Sequence, residues 1–195
     1  MQGIVAGDFD GDGHADIYAV QNSYAPIPAI GRFDGGLSQL LRGDGRGSFT
    51  AVPPAESGLL VRGDAKAVVA VDLDGDGWAD FLVTRNNDTM LAFRNKGVAG
   101  HRSLRVSLRG PAGNPSGIGA NVTAEFTDGS TQSAEVGTSA GYFSQSGGGV
   151  FFGYREANPP RAIRVRWPAG SVTVHAVPAG ATGVVARLQA GSTQP

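Results

Sequence analysis

Apolar positions along the chain come in short runs broken by Gly, Asp and Pro, and no stretch repeats an apolar residue at helical spacing. That pattern predicts strands joined by turns. In the first half the runs are Ile4-Val5-Ala6, Ile17-Tyr18-Ala19-Val20, Leu40-Leu41-Arg42, Val68-Val69-Ala70, Phe81-Leu82-Val83-Thr84 and Leu91-Ala92-Phe93-Arg94. From about Gly97 the pattern shifts to apolar/polar alternation in Leu104–Leu108, Asn121–Phe126, Ile163–Trp167, Ser171–Val174 and Val184–Leu188. Turn signals stand at Asp128-Gly129, Pro168-Ala169-Gly170 and Pro178-Ala179-Gly180. Alternation with such turns predicts half-buried strands in a sandwich or small barrel. The expected architecture is all-β with two parts, residues 1–97 and 98–195.

The first part repeats itself. Asp8-Phe9-Asp10-Gly11-Asp12-Gly13-His14-Ala15-Asp16 returns 64 residues later as Asp72-Leu73-Asp74-Gly75-Asp76-Gly77-Trp78-Ala79-Asp80, with seven of nine residues identical. The flanking apolar runs correspond, and the later runs ending at Arg42 and Arg94 each lead into a Gly-rich turn. Each unit therefore reads as strand, Asp/Gly loop, strand, connection, strand, which is the plan of a propeller blade. Two units cannot close a ring, because propellers need about four to eight blades. Either further repeats precede residue 1 or the pair packs unusually against the second half; Met1 falls almost on a motif, which reads as a fragment boundary.

Carboxylates occupy positions 1, 3, 5 and 9 of both loops. In an extended strand they would alternate between faces, so the loops must wrap. Gly at positions 4 and 6 permits the positive-φ backbone that gathers Asp8, Asp10, Asp12 and Asp16 on one point, with the His14 carbonyl turned inward. Clustered carboxylates repel unless a cation lies among them. Flexible all-oxygen donors suit Ca²⁺, which takes six to eight ligands, better than Mg²⁺ with its rigid octahedron. The match to an EF-hand is partial: position 12 is Ala19 or Val83 where that loop needs Glu, and no flanking helices are expected. The competing reading is a polar hairpin turn without metal.

Composition narrows the classes further. Charged residues are only 17%, which argues against helical bundles and coiled coils, and 31 Gly with 11 Pro beside 41% apolar residues favours a turn-rich β protein over disorder. The net charge of −1 gives no field for nucleic acid, and no apolar run is long enough for a membrane helix. Charge is uneven: residues 1–97 carry 8 Lys/Arg against 13 Asp/Glu, the remainder 8 against 4. The absence of cysteine removes disulfides, thiolate metal sites and thiol catalysis.

These residues carry a resemblance. Residues 1–97 resemble the FG-GAP/VCBS repeats, the calcium-loop blades also found in integrin-type propellers, and the stretch Leu40–Thr50 is similar to their blade-closing segment. The resemblance implies Ca²⁺ ligands at Asp8, Asp10, Asp12 and Asp16 and at Asp72, Asp74, Asp76 and Asp80, with carbonyls from His14 and Trp78, hence two Ca²⁺ sites. From about residue 98 the chain resembles the ASPIC/UnbV domain. The residues that carry this are His101–Gly110, Asn114-Pro115-Ser116-Gly117-Ile118-Gly119-Ala120, Gly141–Ser146, Phe151-Phe152-Gly153 and Val165–Gly170. The order of the two is similar to the C-terminal part of cartilage acidic protein-like chains, which implies secretion, with any signal peptide lying outside this sequence.

Several other motifs compete. Gly137-Thr138-Ser139-Ala140-Gly141, with Glu156 and His175 downstream, spells a nucleophile elbow, but no strand–turn–helix in a parallel sheet is expected around it. Arg42-Gly43-Asp44 and Arg62-Gly63-Asp64 spell an adhesion tripeptide, for which coincidence is the default in a chain this rich in Gly, Arg and Asp. Arg164 and Arg166 alternate with apolar residues as on a solvated strand face. Tyr142, Phe143, Phe151, Phe152 and Tyr154 form either core or a sugar-stacking cluster. The expected function is a non-enzymatic Ca²⁺-binding extracellular module for adhesion or for binding an extracellular protein or carbohydrate ligand, with no nucleic acid and no membrane insertion; a plain structural spacer is a further possibility. The rival is an enzyme or accessory factor of a secondary-metabolite pathway, an association carried by the UnbV name.

Overall fold

The computed structural model describes residues 2–27, 29, 31–33, 35–138, 144–146 and 148–188. The first half contains β1 (Gly3–Gly7), β2 (Asp16–Val20), β3 (Ser23–Ile27), β4 (Gly31–Phe33), β5 (Gln39–Gly43), β6 (Phe49–Val52), the short helix α1 (Pro54–Ser57), β7 (Ala65–Val71), β8 (Asp80–Arg85) and β9 (Leu91–Phe93). Two antiparallel sheets result, ordered β1-β2-β5-β6 and β7-β8-β9, with β3 and β4 as a separate hairpin. Each Asp/Gly loop joins the first two strands of its sheet, and its ends are held in register by the pairs Gly7↔Asp16 and Val71↔Asp80. No ring closes among the described residues.

One core serves both sheets. Val5, Tyr18 and Val20 from the first and Val68, Phe81 and Val83 from the second share a buried cluster. Phe81 lies at its centre, edge-on to Phe9 at 4.8 Å and tilted against Tyr18 at 4.7 Å. Aromatic pairs at such distances add to plain area burial. The first loop is thus fastened to the second repeat through Phe9, its second residue.

The second half is a sandwich, as its alternation predicts. Its strands are β10 (His101–Arg109), β11 (Asn121–Phe126), β12 (Thr131–Glu135), β13 (Gly149–Arg155), β14 (Pro160–Arg166), β15 (Val172–Ala176) and β16 (Gly183–Arg187). They form sheets β13-β10-β16 and β12-β11-β14-β15, with β10 and β16 parallel. Leu104, Val106 and Phe152 on one sheet face Val122, Phe126, Ile163 and Val165 on the other. The predicted turns close hairpins at Asp128-Gly129 and Pro168–Gly170, where Gly129 and Gly170 adopt positive φ.

Four strand regions carried no prediction: the β3–β4 hairpin, β6, β12 and β13. Strand β12, Thr-Gln-Ser-Ala-Glu, is a sheet edge with a largely polar sequence and no apolar alternation to betray it. Strand β13 is apolar on both sides because both are covered: Phe152 enters the sandwich core while Phe151 packs against the core of the repeats. The repeats pack against the second half, where Phe151 of β13 lies on their core.

Candidate metal centres

The first loop is tied by hydrogen bonds from its own backbone to its own carboxylates. Asp8 accepts from the N–H groups of Gly11 and Gly13, both at 2.7 Å. Asp10 accepts from Asp12 N–H (3.2 Å), and Asp12 from His14 N–H (2.8 Å). Asp16 accepts from Phe9 N–H (3.0 Å) and reaches across to Gly43 N–H on β5 (2.9 Å). Short Asx turns of this kind need positive φ at intervals, and Gly11 (+75°) and Gly13 (+91°) supply it.

The second loop repeats the scheme. Asp72 accepts from Gly75 and Gly77, Asp74 from Asp76, and Asp76 from Trp78. Asp80 accepts from Leu73 N–H (2.9 Å) and from Asn95 N–H (2.7 Å), just beyond β9. In each loop three carboxylates converge, Asp8 with Asp10 and Asp16, Asp72 with Asp74 and Asp80, each offering an oxygen within 4.8 Å of the others. Asp12 and Asp76 stand outside these trios and cap the residues that follow them. The donor set is all oxygen, which fits a hard divalent cation.

An arginine stands beside each cluster, Arg42 on the third strand of its sheet and Arg94 just after the third strand of the other. Arg42 Nε lies 2.8 Å from Asp10 Oδ2, and Arg94 pairs with Asp74 and, at 3.7 Å, with Asp76. The two arginines end corresponding apolar runs of the two repeats. Burial pushes Asp8 up to about 6 from the ordinary 3.8, against the N–H groups of Gly13 and Gly11, with Asp12 and Asp10 adding repulsion. Burial likewise raises Asp16, and it raises Asp76 together with the charges of Asp74, Asp80 and Asp72.

The second half covers both loops. His101 Nδ1 lies 2.8 Å from the Asp10 carbonyl, and Thr182 donates to the Gly75 carbonyl at 3.2 Å. Asn95 donates to the Phe9 carbonyl at 2.8 Å, linking the connector to the first loop. The Trp78 indole is buried between Gly11 and Gly97; a Cβ on either glycine would come within 3 Å of the ring. These contacts join residues far apart in sequence, and no local pattern announced them.

The other motifs fall elsewhere. Arg42 of the first Arg-Gly-Asp is engaged with Asp10 and Glu56, and its Asp44 carboxylate caps Arg46 and Ser48. Asp64 of the second is buried and paired with Lys66. Burial of Asp64 hides the second tripeptide, whereas the first keeps Arg42 and Asp44 exposed with both side chains engaged. Ser139 of the elbow motif lies outside the described residues, while Glu156 pairs with Arg102 and His175 bonds Thr173. Tyr142 and Phe143 also lie outside them; Phe151 and Phe152 are core, and half-buried Tyr154 packs 6.3 Å from Phe126. Arg164 and Arg161 share Glu125 on an exposed sheet face.

Comparison with known families agrees with this geometry. Residues 8–83 match the family model described as FG-GAP-like repeat, and residues 110–192 match the one described as ASPIC and UnbV. The all-β chain thus carries a stretch that matches FG-GAP-like repeats, followed by one that matches the ASPIC/UnbV model. No curated protein matches it. Among the described residues no helix is long and apolar enough to cross a membrane.

Proposed function

We propose that this chain is a secreted, non-catalytic calcium-binding β module used in adhesion, recognising an extracellular protein or a carbohydrate. Calcium is structural in this reading. It is held in the first loop by the trio Asp8, Asp10 and Asp16, joined by Asp12 and the His14 carbonyl as the loop closes on the ion, and in the second by Asp72, Asp74 and Asp80, joined likewise by Asp76 and the Trp78 carbonyl. The supporting observation is the pair of carboxylate trios, each closed by the same turns in a region that matches FG-GAP-like repeats. Three carboxylates so close oppose folding by mutual repulsion, and a divalent cation converts that cost into stabilisation. The ligand surface is assigned to loops of the ASPIC/UnbV domain or to further repeats of a longer chain.

Thermal unfolding in chelator, in millimolar Ca²⁺ and in millimolar Mg²⁺ tests the metal reading. A ligand at one hundred times its Kd stabilises the native state by about 2.7 kcal/mol per site, and a protein of this size gains roughly 2–4 °C per kcal/mol. A Ca²⁺-selective rise that shrinks in Asp10→Ala and in Asp74→Ala is the expected result. Coincident melts would remove calcium from the account.

A further inference from the structure

Both loops meet the ASPIC/UnbV domain, but in different ways. In the second loop the contact is with the backbone of the tip: a Cβ on Gly77 would come within 2.6 Å of the Thr182 carbonyl oxygen and 2.8 Å of that of Ser103. Asp74 remains exposed and Asp72 half-buried. In the first loop the domain lies against the carboxylates. Gly153 of β13 is so close that a Cβ there would run into the Asp8 carboxylate and come within 2.6 Å of Gly11 Cα. Its neighbour Gln132 donates to the Gly153 carbonyl at 2.8 Å and borders Gly13. His101 Nδ1 lies 2.8 Å from the Asp10 carbonyl oxygen.

We propose that the first metal loop is a composite site, its carboxylates walled in across the domain boundary by His101 and Gly153, whereas at the second loop the domain touches only the backbone of the tip, through Thr182 and Ser103, and leaves the carboxylates to themselves. The proposal rests on the calcium reading above. Two physical effects support it. A wall that anchors the Asp10 backbone and abuts Asp8 keeps the carboxylates gathered before the cation arrives, so less ordering is left to occur on binding. The same wall excludes water, which strengthens attraction between cation and carboxylate and makes the bare carboxylates costly. By linkage, docking of the domain raises cation affinity at the first loop, and the cation favours docking by the same factor. Gly153 is required because any side chain would displace Asp8, and His101 because its ring donates to a carbonyl that the loop otherwise leaves exposed.

Calorimetric titration with Ca²⁺ tests this, with each loop isolated in turn. Asp74→Ala leaves only the first loop and Asp10→Ala only the second. In the Asp74→Ala background, His101→Ala weakens Ca²⁺ binding about fivefold, the loss expected for one hydrogen bond. Gly153→Ala weakens it by more than tenfold. In the Asp10→Ala background neither substitution changes affinity, which separates the proposal from general destabilisation. Equal effects on both loops, or none on the first, would overturn it. If Gly153→Ala fails to fold, the His101→Ala pair still decides. Failure of the unmodified chain to take up any Ca²⁺ is a distinct result that overturns the calcium reading itself.

Discussion

The two Asp/Gly loops share seven of nine residues and the same ladder of turn hydrogen bonds, yet they live in different surroundings. The positions that differ are the second and the seventh, Phe9 against Leu73 and His14 against Trp78. These are also where burial diverges: Phe9 is 8% exposed and Leu73 50%, while His14 is exposed and Trp78 only 6%. Identical residues thus encode the loop, which is a local object, and the substituted ones encode its neighbours. Phe9 locks the first loop onto Phe81 of the other repeat. Trp78 fills the space between the first loop and the connector.

The comparison breaks first at its second position. Phe9→Ala is expected to cost about 4 kcal/mol in urea unfolding with chelator present, since it empties a buried aromatic site. Leu73→Ala, at an exposed position, costs less than about 0.5 kcal/mol. Equal costs would mean that the loops do not differ in tertiary support.

The next largest effect is pH dependence in the absence of metal. Asp8 binds its proton more tightly folded, at about 6, than unfolded, at 3.8. The protonated group therefore adds stability below about pH 4, and that contribution is lost as pH rises through 6, a change on the order of 3 kcal/mol. Asp16 and Asp76, also raised, act with the same sign. Chelated protein should grow less stable from pH 4 to 7, and Asp8→Asn should flatten the profile. Ca²⁺ reverses the trend, because cation and proton compete for the same oxygens.

Smaller still, and equal in both loops, is the loss of the ninth residue. Asp16 and Asp80 each serve two backbone N–H groups, one in their own loop and one at or just beyond the end of the third strand. Asp16→Ala and Asp80→Ala should each cost about 2 kcal/mol in chemical denaturation, because each removes a buried carboxylate that two backbone N–H groups share. The smallest effect belongs to the arginines. Arg42 and Arg94 are 46% and 66% exposed, so Arg42→Gln and Arg94→Gln should change stability by less than about 1 kcal/mol. Each should tighten Ca²⁺ at its own loop a few-fold in calorimetry, since a competing cation has gone.

Much of the molecule was legible in the chain because its features are local. Strand β11 runs from Asn121 to Phe126, as its alternation predicts, and the glycines of both loops take the positive φ that their spacing requires. The carboxylate trios were legible for the same reason, although Asp12 and Asp76 turn instead to capping His14 and Trp78. What escaped was long-range. Polar β12 pairs at a sheet edge where no apolar pattern is needed. Gly153 owes its identity to a loop that lies about 140 residues earlier. Arg42 and Arg94 were visible as aligned residues, but only the folded sheets bring them to Asp10 and Asp74.

The most direct test is anomalous diffraction at long wavelength from crystals grown with Ca²⁺. The account predicts two peaks, one among Asp8, Asp10 and Asp16 beside Gly153 and one among Asp72, Asp74 and Asp80. Folded loops with no anomalous density at either cluster would contradict it.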